Sequence, residues 1–216
     1  MPTNMKSPCN FANRATAAAA LAAALQRYRD HNPLILAIPR GAVPMGKIIA
    51  EQLNGELDVV LVHKLSDPFN PEFAIGAIDE SGWTYLAPYA TEMEDTATSY
   101  LAQEKRHQLD VLRRRRVQYT RSKPPVDPQG RITIVIDDGL ATGATMIAAL
   151  HATRAKKPAK LICAIPVAPP ETIALIRPLA DAVVCLCAPA NFMAVGQFYG
   201  TFPQVDDDEV MQALAP

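Results

Sequence analysis

The densest chemistry in the chain lies in one run, Asp137-Asp138-Gly139-Leu140-Ala141-Thr142-Gly143-Ala144-Thr145. Two adjacent carboxylates precede glycines, small residues and hydroxyls that open into a helix. Backbone N–H groups at a helix start have no intrahelical acceptor, so with the hydroxyls of Thr142 and Thr145 they suit a phosphate monoester. Gly139 and Gly143 let the backbone turn and approach an anion closely. Asp137 and Asp138 would repel that phosphate and suit sugar hydroxyls or a Mg²⁺-bound diol instead. A strand, loop and helix with ordinary capping threonines needs no ligand, but it leaves the adjacent aspartates unexplained.

Two more groups share a placement with this run. Pro39-Arg40-Gly41 follows the apolar stretch Leu34 to Ile38, and His63-Lys64 follows Leu57 to Val62. In an open parallel sheet, ligands gather beyond the carboxyl ends of the strands, where all three groups would stand. Taken alone, Pro-Arg-Gly is an ordinary turn and a strand-end lysine is often only solvated.

The elements that would position these residues alternate. Leu34 to Ile38, Leu57 to Val62, Arg131 to Ile136, Lys160 to Ile165 and Ala182 to Leu186 read as short buried strands. Ile132, Ile134 and Ile136 take one face and Val135 the other, as in a parallel strand covered on both sides. Helices are expected from Ala15 through Arg29, Val43 to Leu53, Asp95 to Tyr119, Gly143 to Arg154 and Pro170 to Leu179. In the long polar helix, Leu101, Leu109, Leu112 and Tyr119 form one stripe. Ala74 to Ile78 and Trp83 to Leu86 flank Asp79-Glu80-Ser81-Gly82 as a hairpin would, while Ser66 to Glu72 and Ser122 to Gly130 read as loops. The alternation predicts an α/β fold with a doubly wound, mainly parallel sheet in a single domain, residues 1–216.

Composition excludes several classes of function. With 216 residues, 49% hydrophobic and net charge -1, the chain has no global attraction for nucleic acid or an anionic membrane, so any anion site must be local. Arg113 to Arg116 would spread around a helix and make no single patch, and are read as a solvated face or as cover for a partner subunit. The Ala-rich stretch from Ala15 to Leu25 superficially resembles a secretory leader, but alanine dominates it and it continues into Gln26 and Arg27 as one helix. A cytoplasmic protein is expected. Cys9, Cys163, Cys185 and Cys187 lack zinc spacing and are read as reduced core cysteines.

The strand Ile132 to Ile136, the acid pair and the loop Ala141 to Thr145 resemble, throughout, the motif with which type I phosphoribosyltransferases bind 5-phosphoribosyl-1-pyrophosphate (PRPP). Asn70 to Ile78 and Phe192 to Tyr199 are similar to a subgroup of bacterial members. The resemblance implies the family fold, with a core at about 32–187 and a small hood formed by 188–216 with part of the first helix. It places Asp137 and Asp138 on the ribose hydroxyls, and on Mg²⁺ directly or through PRPP hydroxyls or water. Ala141, Thr142, Gly143, Ala144 and Thr145 take the 5-phosphate, and Arg40, Gly41 and Lys64 the pyrophosphate. Arg40, Lys64 and the two aspartates become catalytic candidates. Phe192, Val195 and Phe198 resemble the segment that covers the acceptor, where an aromatic ring can stack on a base or simply pack in the core. His63 stands where relatives often carry Arg and is read as orienting or structural. The implied activity is Mg²⁺-dependent transfer of the phosphoribosyl group from PRPP to a small nitrogen acceptor, in a homodimer that binds no nucleic acid or membrane. A PRPP or nucleotide sensor with the same fold is the alternative.

Overall fold

The computed structural model describes residues 9–67, 74–88, 95–120 and 124–215, with side chains from 75 in the second stretch and from 100 in the third. The strands are β1 (Leu34–Ala37), β2 (Glu56–Val59), β3 (Val62–Ser66), β4 (Ala74–Asp79), β5 (Thr84–Leu86), β6 (Ile132–Ile136), β7 (Lys160–Val167) and β8 (Ala182–Cys187). The helices are α1 (Arg14–Ala24), α2 (Val43–Leu53), α3 (Asp95–Tyr119), α4 (Ala144–Ala155), α5 (Pro170–Ile176) and α6 (Asp207–Leu214). Five strands make a wholly parallel sheet in the order β2-β1-β6-β7-β8, and β3-β4-β5 make a small antiparallel sheet.

Alternate residues of the central strands feed opposite cores. Ile35, Ala37, Ile134, Ile136, Ile162 and Ala164 join side chains of α1, α2, α3 and α6 on one face. Leu34, Leu36, Val135, Leu161, Cys163 and Ile165 join α4 and Ile176 on the other. A strand covered on both sides needs apolar residues at every position, which is why these segments read as unbroken runs. Leu112 and Tyr119 of the α3 stripe are buried, and Leu101 and Leu109 pack against the same core. Leu112→Ala is therefore expected to lower stability by about 2–5 kcal/mol, read as a shifted urea midpoint.

Chain direction defines the working edge of the sheet. From β1 the chain crosses through α2 to β2 on one side, and from β6 through α4 to β7 on the other. The gap between β1 and β6 is thus the topological switch point, where neighbouring loops diverge and leave a crevice. These two strands pair in register, Ala37 opposite Ile136, so their following loops emerge side by side.

Several expectations are corrected. The run Leu57 to Val62 is not one strand: β2 ends at Val59, and the chain then leaves the central sheet to start β3 in the antiparallel one. Val60, Leu61 and Val62 stay buried across the switch, so the apolar run hides it. The first helix stops at Ala24 and gives way to a 3₁₀ turn, Gln26–Tyr28, and the fifth stops at Ile176 before a similar turn, Arg177–Leu179. Arg116 does not point into solvent; its Nε and Nη2 donate to Glu80 at 2.8 and 3.0 Å. Cys9 and Cys187 are not reduced core thiols but a disulfide pair, with Cα atoms 5.4 Å apart, because the end of β8 lies beneath the N-terminal segment. Cys163 and Cys185 remain free. Parts of the two expected loops, 68–72 and 122–123, and the Asn70 to Phe73 part of the family-like string lie outside the described residues. Among the described residues, no helix is long and apolar enough to cross a membrane.

Candidate functional site

Asp137 and Asp138 follow β6 directly, and Pro39, Arg40 and Gly41 follow β1. The two loops touch: a Cβ built on Gly41 would lie 2.1 Å from Asp138 Oδ2. Only glycine leaves room for that carboxylate. The Pro39–Arg40 peptide is cis. Arg40 is about one-third exposed and lies 3.8 Å from Asp207 at the start of α6. Asp207 also accepts a hydrogen bond from the Tyr119 hydroxyl.

The acid pair is crowded and partly desolvated. Burial, then the neighbouring charge of Asp138, hold the Asp137 carboxyl well above the usual carboxylate range, although the Asp138 amide donates to its Oδ1 at 2.8 Å. Burial also raises Asp138, and an arginine opposes this: Arg14 Nε and Nη2 each lie 2.8 Å from Asp138 Oδ2. Arg14 was not anticipated from the sequence. It sits 124 residues away at the start of an alanine-rich helix, where nothing local marks it.

The loop Ala141 to Thr145 turns into α4 with Gly143 at φ +79°, a left-handed conformation suited to glycine. Gly143 stands at the N-cap and has no side chain to cap the helix, which leaves its first N–H groups suited to an incoming anion. Ala141 and Thr142 are exposed, Thr145 is half-buried, and Gly143 and Ala144 are buried. Thr172 Oγ1 donates to the Ala141 carbonyl at 2.5 Å and ties the loop to α5.

The segment Phe192 to Tyr199 closes over the acid pair from the other side. A Cβ on Gly139 would lie 2.5 Å from Val195 Cγ1, so Val195 rests on the backbone just after the aspartates. Gln197 shapes this segment: its Oε1 accepts from the amides of Met193 and Ala194, and its Nε2 donates to the Asn191 carbonyl. Phe192 is half-buried, but Phe198 is 7% exposed and belongs to the core, its ring 5.2 Å from that of Phe192. Phe198 therefore supports the segment and does not offer a free face.

Lys64 is the predicted residue whose placement differs most. It lies within β3, opposite Ala77 of β4, and not at the carboxyl end of a central strand. The strand-end reason for assigning it to the pyrophosphate end thus no longer applies, and only the family resemblance supports its role. His63 Nδ1 lies 2.9 Å from the Lys64 carbonyl, and burial lowers its pKa. A cavity of about 270 Å³ beside Arg116 and His151 lies elsewhere, and none of the predicted site residues lines it.

Could this arrangement hold a divalent cation? Among the described residues no three His, Cys, Asp or Glu side chains converge on one point. Two crowded carboxylates do suit Mg²⁺, which commonly takes one or two protein carboxylates and fills its octahedron with water and substrate oxygens.

Comparison with known proteins agrees with this geometry. The model of the phosphoribosyl transferase domain matches residues 11–199. A Mycobacterium tuberculosis protein named "Putative phosphoribosyl transferase" is 39% identical over 204 residues, 94% of this chain and 46% of its own length. The chain thus spans about half the length of the curated relatives it matches. The crystal structure of TT1426 from Thermus thermophilus is 43% identical, with a TM-score of 0.79 over 95% of this chain and 97% of that one. With a strand, acid pair and helix-start loop in the family's order and a domain match across most of its length, the chain belongs to the phosphoribosyl transferase family.

Proposed function

We propose that the protein binds PRPP with Mg²⁺ and transfers its phosphoribosyl group to a nitrogen acceptor of nucleobase type, with release of pyrophosphate. The observation that carries this reading is that the uncapped start of α4, the acid pair and the Gly41 loop all stand at the β1–β6 switch point. Together they offer a monophosphate cradle, a diol site and a second anion site along one edge. The 5-phosphate takes the amides of Ala141 to Thr145 with the Thr142 and Thr145 hydroxyls. The ribose hydroxyls meet Asp137 and Asp138. Phe192 and Val195 face the acceptor, with Phe198 beneath them. A homodimer in the cytoplasm belongs to the same reading.

In the reaction the acceptor nitrogen forms a bond to C1 as the bond from C1 to pyrophosphate oxygen breaks. Positive charge that develops on the sugar is met by the carboxylates of Asp137 and Asp138. Negative charge on the leaving group is met by Arg40, Lys64 and the Gly41 amide. Asp137 and Asp138 would hold Mg²⁺, directly or through PRPP hydroxyls or water, and the ion would supply neutralising charge.

A pyrophosphate-release assay with PRPP against purines, pyrimidines and small amines tests the reading, each run with Mg²⁺ and with EDTA. Release is expected with one acceptor class and only with the metal. Equal release in EDTA would remove Mg²⁺ from the mechanism, and tight PRPP binding without release from any acceptor would make the protein a sensor.

A further inference from the structure

We infer that Arg14 is a positioning residue for Asp138, through which the N-terminal helix holds the second carboxylate of the acid pair in the orientation that meets PRPP; this rests on the proposed reading of the site. Both contacting nitrogens of Arg14, Nε and Nη2, fall on one oxygen, Oδ2, at 2.8 Å. Arg14 thus takes up Oδ2 and leaves Oδ1 as the oxygen for a ligand to meet. The two side chains are 13% and 15% exposed, so solvent screens their attraction little.

Arg14 is itself held from further directions. Its Nη1 donates to the Pro203 carbonyl at 2.6 Å, and its guanidinium carbon lies 3.7 Å from the centroid of the Phe202 ring. Phe202 stacks on Tyr199 with ring centroids 4.7 Å apart, and the Tyr199 hydroxyl donates to the main-chain carbonyl of Asp138 at 2.6 Å. Asp138 is therefore gripped at both ends, carboxylate by Arg14 and carbonyl by Tyr199, with Phe202 joining the two grips. A carboxylate fixed before the ligand arrives loses no further rotamer freedom on binding, which is how a residue that never touches substrate can raise its affinity. Arginine suits the task better than lysine, because only its planar group can donate along one edge and stack on an aromatic ring.

A purely structural bridge from α1 to the C-terminal segment would make a different prediction, since its loss would harm the protein whether or not Asp138 were intact. Calorimetric titration of Mg²⁺-PRPP into the wild type, Arg14→Ala, Arg14→Lys, Asp138→Asn and the Arg14→Ala/Asp138→Asn double variant separates the two. Arg14→Ala and Asp138→Asn are each expected to weaken binding by about tenfold or more, and the double variant by no more than about twofold beyond Asp138→Asn. Arg14→Lys should recover part of the loss. Tyr199→Phe keeps the ring stack and removes only the hydroxyl, so it tests the other grip if Arg14→Ala does not fold; a several-fold loss of affinity is expected. Multiplying effects of Arg14→Ala and Asp138→Asn, or wild-type affinity in Arg14→Ala or in Tyr199→Phe, would overturn the inference while leaving the proposed function standing. Failure of the wild type to bind Mg²⁺-PRPP would overturn both.

Discussion

Asp137→Asn and Asp138→Asn are each expected to slow pyrophosphate release by about 10²-fold or more, because each removes a carboxyl group that can meet the ribose hydroxyls and Mg²⁺ where the sugar becomes cationic. Their effects on stability should differ in size. The Asp137 carboxyl is raised above its unfolded value by burial and by Asp138. The native state then holds a proton that the unfolded chain has released, so stability falls as pH rises from the unfolded pKa through the folded one. At neutral pH Asp137→Asn removes that penalty and should raise the urea midpoint. Burial raises Asp138 too, but Asp138→Asn also strips the partly buried Arg14 guanidinium of its counter-charge, so it should raise the midpoint less than Asp137→Asn does. Steady-state kinetics with urea titrations at pH 7 check both. Wild-type turnover in either variant would take that carboxylate out of the mechanism.

Gly41→Ala is the second change with a large expected effect. The added methyl would stand 2.1 Å from Asp138 Oδ2, 3.0 Å from its Cγ and 3.1 Å from Arg14 Nη2, so the loop or the carboxylate must move. The Gly41 φ lies outside the left-handed region, which leaves crowding as the cause and spares the backbone strain. Turnover should fall by about 10²-fold, since misplacement by about 1 Å costs that much when positioning carries the rate. Affinity for ribose 5-phosphate, which shares the Asp138 contact but needs no pyrophosphate site, should fall less than affinity for PRPP. Calorimetry with the two ligands measures the contrast. Equal losses for both would mean that Gly41 does not serve the pyrophosphate end.

The acid pair and the loop that leads into α4 were legible as structure because strand, turn and helix start are consecutive and each has a local signature. The parallel order was legible for a similar reason, as β6 and β7 carry apolar residues for two faces. What escaped was set by contacts between distant segments. Arg14 carries no sign of its partner at Asp138. The Cys9–Cys187 pair joins residues 178 apart and has no motif. The exit from β2 into β3 was hidden because Val60 to Val62 must stay buried in either arrangement, so hydrophobicity could not tell one strand from two. Lys64 followed that error to the wrong kind of strand position. Phe198 stayed open between stacking and core packing because an aromatic residue suits either, and its burial decides for the core.

The contacts that link Phe11 and Arg14 to Tyr199 and Pro203 also bear on how the protein matures during synthesis. Phe11 and Tyr199 form a β-bridge, and Arg14 reaches the Pro203 carbonyl across 189 residues. A ribosome releases α1 before the loop that follows β6, and that loop well before residue 199. Until the last of these partners leaves the exit tunnel, Asp138 lacks its Tyr199 grip and Arg14 its Phe202 platform. On the proposed reading, PRPP therefore gains nothing from this corner of the crevice in a half-made chain, because ligand stabilises only a state that can bind it. Closing so long a loop is slow, which places completion of the site among the late events of folding.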